Sequence, residues 1–247
     1  MKLFQHWVIF LTLFLASCVP AFASVSPSST TPIEEYTPHL PPPSFSPSNV
    51  VIPPNGTWQI QYDGNINTSL DVDIYNLDLF ETEADTISDL HTRHIFVMCY
   101  FDAGSFEEWR PDAADFPAEV IGKKYKWWHQ EKWLDIRKID ILAPIIAARL
   151  DLAAQKGCDG ADPDNVNGFV NETGFQITYQ DQLKFNVWLA ESAHARGLSI
   201  GLKNDLEQIH DLIPYFDWQL SEECFQYNEC KSLLPFIEAG KPVFDIE

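Results

Sequence analysis

The feature that most constrains the fold recurs three times in the second half of the chain: a helical stretch, one glycine, then a short apolar run. Apolar residues fall at helical spacing over 141–156, and Gly157 follows. The pattern repeats over 181–196 before Gly197 and over 231–239 before Gly240, with a shorter helical stretch at 206–213. A glycine just past a helix adopts the left-handed conformation that ends it without steric cost. Candidate strands lie at 58–62, 73–79, 95–101, 133–136, 159–162, 198–202, 216–220 and 242–246. Eight strands alternating with helices predict an α/β fold, a (β/α)8 barrel of TIM type over 57–247.

In such a barrel the active site lies at the carboxyl ends of the strands. Here those ends carry Asp63, Asp78, Asp102, Asp135, Arg137, Asp162, Asp164, Lys203, Asn204, Asp205, Glu222, Asp245 and Glu247. Singly, such residues cap helices or make turns more often than they catalyse. Their gathering on one face points to a carboxylate-lined site. The segment 157–165 places Asp159, Asp162 and Asp164 at one strand end, with Pro163 limiting how the chain continues. Glu222 stands at a second, distant one. Two separated carboxylates are what glycosidic bond hydrolysis requires, one to give a proton and one to attack or activate water. Tyr62, Tyr100, Trp109, Trp127, Trp128 and Trp218 lie near these ends, where sugar rings could stack, although core packing is the ordinary role of any one of them.

The formal charge of −20 argues against nucleic acid and anionic membranes as partners and suits a cationic one, or plain extracellular solubility. Residues 1–23 read as an export signal, with Lys2 ahead of an apolar run over 7–16 that is too short to span a bilayer. Ala21-Phe22-Ala23 offers a cleavage site for simple secretion, and Leu15-Ala16-Ser17-Cys18 resembles a lipobox that would anchor a bacterial chain through Cys18. No other segment reads as a membrane span. Residues 24–56 are rich in Ser, Thr and Pro and form an extended linker. Asn55, Asn67 and Asn171 open glycosylation sequons. Cys99, Cys158, Cys224 and Cys230 make an even set in an oxidising compartment. The spacing allows Cys224 to close a short loop with Cys230, which would leave Cys99 for Cys158, but connectivity stays open on sequence alone. No CxxC or His-x3-His pattern accompanies them, which argues against zinc.

The motifs Cys99-Tyr100-Phe101-x-Ala103-Gly104-Ser105 and Trp109-Arg110-Pro111-Asp112 resemble glycoside hydrolase family 114. So do Trp133-Leu134-Asp135-Ile136-Arg137, Gly157-Cys158-Asp159-Gly160-x-x-Pro163-Asp164-Asn165, Gly201-Leu202-Lys203-Asn204-Asp205 and Glu222-x-Cys224. The resemblance runs from about Trp58 to Glu247. It implies an endo-α-1,4-polygalactosaminidase on a (β/α)8 barrel, with Asp164 and Glu222 as the catalytic pair. Three positions depart from the family pattern. Asp162 stands where the family has Glu, Asp102 where it has Ser, and Ser221 where it has Asn. The folded part, about 190 residues, is short against the roughly 250 typical of this barrel, so the barrel is either truncated at its C-terminus or closed with less.

The expected chemistry is two-carboxylate hydrolysis, with Asp164 as nucleophile or base and Glu222 as acid. Asp78, Asp102, Tyr100, Asp162, Asn165, Lys203, Asn204, Asp205 and Trp218 are the expected substrate-binding residues. The acidic ones among them would pair with the ammonium groups of a galactosamine polymer. No metal or cofactor is needed, and a monomer is expected. The alternative is a non-catalytic barrel that binds cationic polysaccharide. A metal-dependent deacetylase is disfavoured because His194 and His210 sit on helical stretches and His129 in a Trp-rich loop, away from the aspartates.

Overall fold

This computed structural model describes residues 40–44, 52, 56–126, 128 and 130–247. The export signal, both processing sites, Asn55, Trp127, His129 and most of the linker lie outside the described residues.

Among the described residues there are ten strands and six α-helices. They are β1 (Trp58–Gln61), β2 (Ile74–Asp78), α1 (Ala84–His91), β3 (Phe96–Asp102), β4 (Ser105–Glu107), β5 (Ile121–Lys124), β6 (Glu131–Leu134) and α2 (Ile139–Lys156). Then come β7 (Gly160–Asp164), α3 (Tyr179–His194), β8 (Ser199–Lys203), α4 (Ile209–Leu212), β9 (Trp218–Glu222), α5 (Cys224–Tyr227), α6 (Leu234–Glu238) and β10 (Val243–Ile246). Seven strands form one parallel sheet in the order β1-β2-β3-β7-β8-β9-β10. Its central strands β2 and β8 are buried at every residue, as strands covered on both faces must be. The helix ends follow the local chemistry. Gly157, at φ 90°, closes α2 with its N–H on the carbonyls of Ala153 and Ala154. Thr178 and Asp181 exchange hydrogen bonds as a capping box that starts α3.

The sheet curls into a half-barrel. Its inner face is filled by Ile74, Phe96, Met98, Trp218, Leu220 and Phe244, with Trp58 packed against them. The first and last strands meet there through Trp58 and Phe244, whose ring centroids are 5.2 Å apart. The larger core lies between the outer face and the helices.

The expected strand at 133–136 is not part of this sheet. Trp133 and Leu134 end β6, which pairs antiparallel with β4 and β5 in a separate three-stranded ribbon, and residues 135–136 lie beyond it. A parallel neighbour needs a crossover, usually a helix. Among the described residues no α-helix lies between β3 and β6, and β6 follows β5 through a short connection, so it returns antiparallel to both β5 and β4. β3 therefore pairs directly with β7, Asp102 opposite Asp164, and α2 provides the crossover after the ribbon. The eight-stranded parallel sheet is replaced by seven strands and a ribbon.

Two disulfides join Cys99 in β3 to Cys158 just ahead of β7, and Cys224 to Cys230. The first staples two neighbouring strands across 59 residues of sequence. The second closes a short loop directly after β9.

Candidate active site

Parallel strands present their last residues on one face, and here those residues include Asp102 of β3, Asp164 of β7, Lys203 of β8 and Glu222 of β9. Asp164 is held from three directions. Its Oδ1 accepts from the Asn165 amide at 2.7 Å, and its Oδ2 lies 3.5 Å from Lys203 Nζ. Its carbonyl accepts from the amides of Ala103 and Gly104, both at 3.1 Å. Asn165 takes a left-handed φ of 58°, and its side-chain amide donates to both oxygens of Asp102 at 3.1 and 2.9 Å. The turn after β3 thus clasps the end of β7, and Gly104 makes the clasp possible. A Cβ at that position would sit 1.8 Å from the Asn165 carbonyl oxygen.

Glu222 is the more open carboxylate, its side chain 44% exposed against 19% for Asp164. Asn204 reads it twice, donating to Oε2 at 3.0 Å and accepting from its backbone amide at 3.0 Å. Lys203 Nζ approaches Oε1 at 3.3 Å. Burial would drive Lys203 to the neutral amine, but Asp164, Asp162 and Glu222 outweigh it and hold its pKa above the usual lysine value. Tyr100 lies over this ammonium, 5.6 Å from Nζ to ring centroid, and stacks on Tyr62 at 4.1 Å.

Asp162 lies beneath, fully buried. Its Oδ2 accepts from Tyr62 Oη at 3.0 Å and from Asn76 at 2.8 Å, while Oδ1 has no hydrogen-bond partner. Burial raises its pKa, against the pull of Lys203.

The remaining expected residues stand apart from this group. Asp78 is buried and gripped by both terminal nitrogens of Arg110, at 3.0 and 2.7 Å, so it has no free face for substrate. Asp102 is also fully buried. Burial, then Glu107 and Asp164, push its pKa well up, and its hydrogen bonds go to Ser105 and Asn165. Asp205 borders the cleft but is itself buried against Asn186 at 2.8 Å. Burial and Glu207 raise its pKa to about 8. Trp218 has no exposed surface. Its indole packs on Phe244 and over Gly201, inside the half-barrel. Partners that the motifs did not single out complete the support: Asn76 under Asp162, Asn186 against Asp205, and Glu131, which accepts from Ser105 at 3.2 Å. Burial and the neighbouring Glu107 and Asp164 raise Glu131 to about 7.

Glu222 opens onto a cleft of about 800 Å³. Among the described residues its walls carry the further carboxylates Glu207, Glu223, Glu229 and Glu247 and the aromatic rings of Tyr125, Trp128 and Tyr227, and no lysine or arginine. Glu247, next after β10, was among the expected strand-end residues and Glu223 adjoins Glu222, whereas Glu207 and Glu229 stand away from strand ends and the strand-end rule passed over them. Near the rim, ligand atoms of Cys224, Asp245 and Glu247 lie within 4.8 Å of one another. The Cys224 sulfur is bonded to Cys230, so it offers no thiolate to a metal.

The profile of glycoside hydrolase family GH114 matches residues 41–247. The crystal structure of Aspergillus fumigatus Ega3 in complex with galactosamine superposes with a TM-score of 0.79 at 41% identity, covering 82% of this chain and 80% of that one. The glycoside hydrolase domain of PelA from Pseudomonas aeruginosa shares the fold alone, with a TM-score of 0.63 at 13% identity over 76% of this chain and 81% of that one. Eubacterium rectale Amy13B is likewise similar in fold only, with a TM-score of 0.53 at 8% identity over 81% and 58%. No curated protein matches the sequence.

Proposed function

The chain belongs to glycoside hydrolase family GH114, and from that premise we propose that it is a secreted endo-hydrolase of α-1,4-linked galactosamine polymers, acting through Asp164 and Glu222. The observation that carries this reading is the cleft beside Glu222, lined among the described residues by carboxylates and aromatic rings without one cationic side chain. A glycan bearing ammonium groups meets favourable charge along such a groove, and ring faces suit its sugars. The similar Ega3 was crystallised with galactosamine, the monomer of such a polymer.

Glu222, more open and facing the cleft, would protonate the leaving oxygen. Asp164, sunk deeper and fixed by the Asn165 amide, would attack the anomeric carbon or activate water. The Lys203 ammonium stands 3.5 Å from Asp164 and 3.3 Å from Glu222, so the two bound oxygens are separated by no more than the sum of those distances. That limit admits the roughly 5 Å of retaining enzymes and also the roughly 6.5 Å lower bound of inverting ones. The export signal and both disulfides suit an extracellular enzyme.

The test is oligosaccharide release from partly deacetylated α-1,4-galactosaminogalactan. Wild type should release oligomers, and Asp164→Asn and Glu222→Gln should each lose at least about 100-fold in rate while still binding the polymer. Binding without release by folded wild type would make the protein a polysaccharide-binding half-barrel instead.

A further inference from the structure

We infer that Lys203 is a positioning residue: its ammonium ties Asp164 and Glu222 into one fixed pair and does not bind substrate. This rests on the reading of those two carboxylates as the hydrolytic pair.

Asp164 ends β7 and Glu222 ends β9, and these strands are not neighbours, because β8 runs between them. No backbone hydrogen bond sets the distance from one carboxylate to the other. Lys203 is the last residue of the intervening strand. Its Nζ lies 3.5 Å from Asp164 Oδ2 and 3.3 Å from Glu222 Oε1, so one side chain spans the gap that the sheet leaves open.

Access decides between tying and substrate binding. The Lys203 side chain is 1% exposed, and the Tyr100 ring lies over its ammonium. An ammonium has three donors. Two of them serve the ion pairs with Asp164 and Glu222, Asp162 adds negative charge nearby, and an ammonium on a side chain 1% exposed offers little surface to a sugar in the cleft. The substrate's own ammonium groups would also be repelled from this point, which directs them to the rim glutamates.

Among the described residues no second cation is ion-paired with either carboxylate. Around Asp164 and Glu222 lie Asp162 on β7, Tyr100 and Asp102 on β3, and Tyr62 after β1. From the ribbon side come Tyr125 and Glu131. All of these are acidic or phenolic groups. Removing Lys203 would leave two like-charged carboxylates facing each other in acidic surroundings, and like charges move apart where they can.

The experiment compares Lys203→Met and Lys203→Arg with wild type by steady-state kinetics on galactosamine polymer and by crystal structures. Lys203→Met should lose about 100-fold or more in kcat with KM within about threefold, as expected when the reacting groups are misplaced by about 1 Å. Its crystal structure should show the two carboxylates farther apart. Lys203→Arg should keep them bridged and recover at least about tenfold over the Met variant, since it keeps the charge and alters only the fit. An unchanged kcat with a tenfold rise in KM in Lys203→Met would overturn the inference and make Lys203 a substrate ligand, as would carboxylates that stay in place. If Lys203→Met does not fold, an arginine variant whose carboxylates separate while kcat stays at the wild-type value sinks the inference equally, and bridged carboxylates with retained kcat support it. Failure of wild type to cut the polymer would count against the hydrolase reading, while the carboxylate separation in the variants still tests the tie.

Discussion

Gly104→Ala is the smallest change that should disable the site without touching a polar group. A Cβ built at Gly104 lies 1.8 Å from the carbonyl oxygen of Asn165 and 2.6 Å from its carbonyl carbon. Ordinary carbon–oxygen contacts begin near ~3.3 Å, so one backbone segment must move by more than about 1 Å. The obstacle is main chain, not a side chain that can rotate away. The Gly104 amide also donates to the Asp164 carbonyl at 3.1 Å, so separating the two segments breaks the hydrogen bonds that seat Asp164. Overpacking of this kind costs about 3 kcal/mol, which lowers Tm by about 6–12 °C in a domain of this size. A misplacement of about 1 Å at a reacting group is worth about 100-fold in rate. Gly197→Ala is the internal control. Nothing lies within 4 Å of a Cβ there, and only its φ of +75° opposes the substitution. It should cost about 1 kcal/mol and leave kcat unchanged. Differential scanning calorimetry and oligosaccharide release would measure both. Equal losses of Tm in the two variants, or wild-type kcat in Gly104→Ala, would refute the clasp.

Three further outcomes follow from the geometry. Binding of the polymer should weaken steeply as ionic strength rises past the point where the Debye length falls below about 8 Å, and a fully N-acetylated polymer should bind weakly at every salt concentration; titration calorimetry decides both. Glu131 is held at about 7 against 4.5 in the unfolded chain, so the folded state keeps a proton that the unfolded state has lost. Its contribution to stability should therefore fall as pH rises between those values and be flat on either side; Glu131→Gln should reduce the slope between pH 5 and 8 in urea denaturation. Replacing Cys99 and Cys158 together with alanine opens a link across 59 residues and should cost about 4 kcal/mol by the chain-entropy argument, read as a drop in denaturation midpoint.

The helix–glycine–strand units were legible because each rests on local chemistry. Gly157, Gly197 and Gly240 all adopt positive φ, and the apolar spacing before them describes helices that form. The pairing of strands was not local. Residues 133–136 have strand character, but whether a strand joins a parallel sheet depends on what connects it to the last one, and among the described residues the connection here contains no α-helix. The strand-end aspartates looked alike in sequence. Asp78 is claimed by Arg110, 32 residues later, and Asp102 by Asn165, 63 residues later, and no spacing rule reports such distant partners. The Trp109-Arg110-Pro111 motif held a signal, since an arginine beside several strand-end acids calls for an ion pair. Trp218 was legible in principle. It alternates with Leu220 on one face of β9, and on the adjacent β8 a glycine at 201 leaves room for an indole.

The ribbon that stands where a barrel strand was expected has a bearing on how substrate preference could diversify. Tyr125 and Trp128, which wall the cleft, lie between β5 and β6, whose pairing partners are each other and β4 and never a strand of the parallel sheet. Insertions or exchanges at that hairpin leave the register of β3 on β7 untouched, and with it the seat of Asp164. The hairpin tip that walls the cleft can thus vary while the register that seats Asp164 stays fixed.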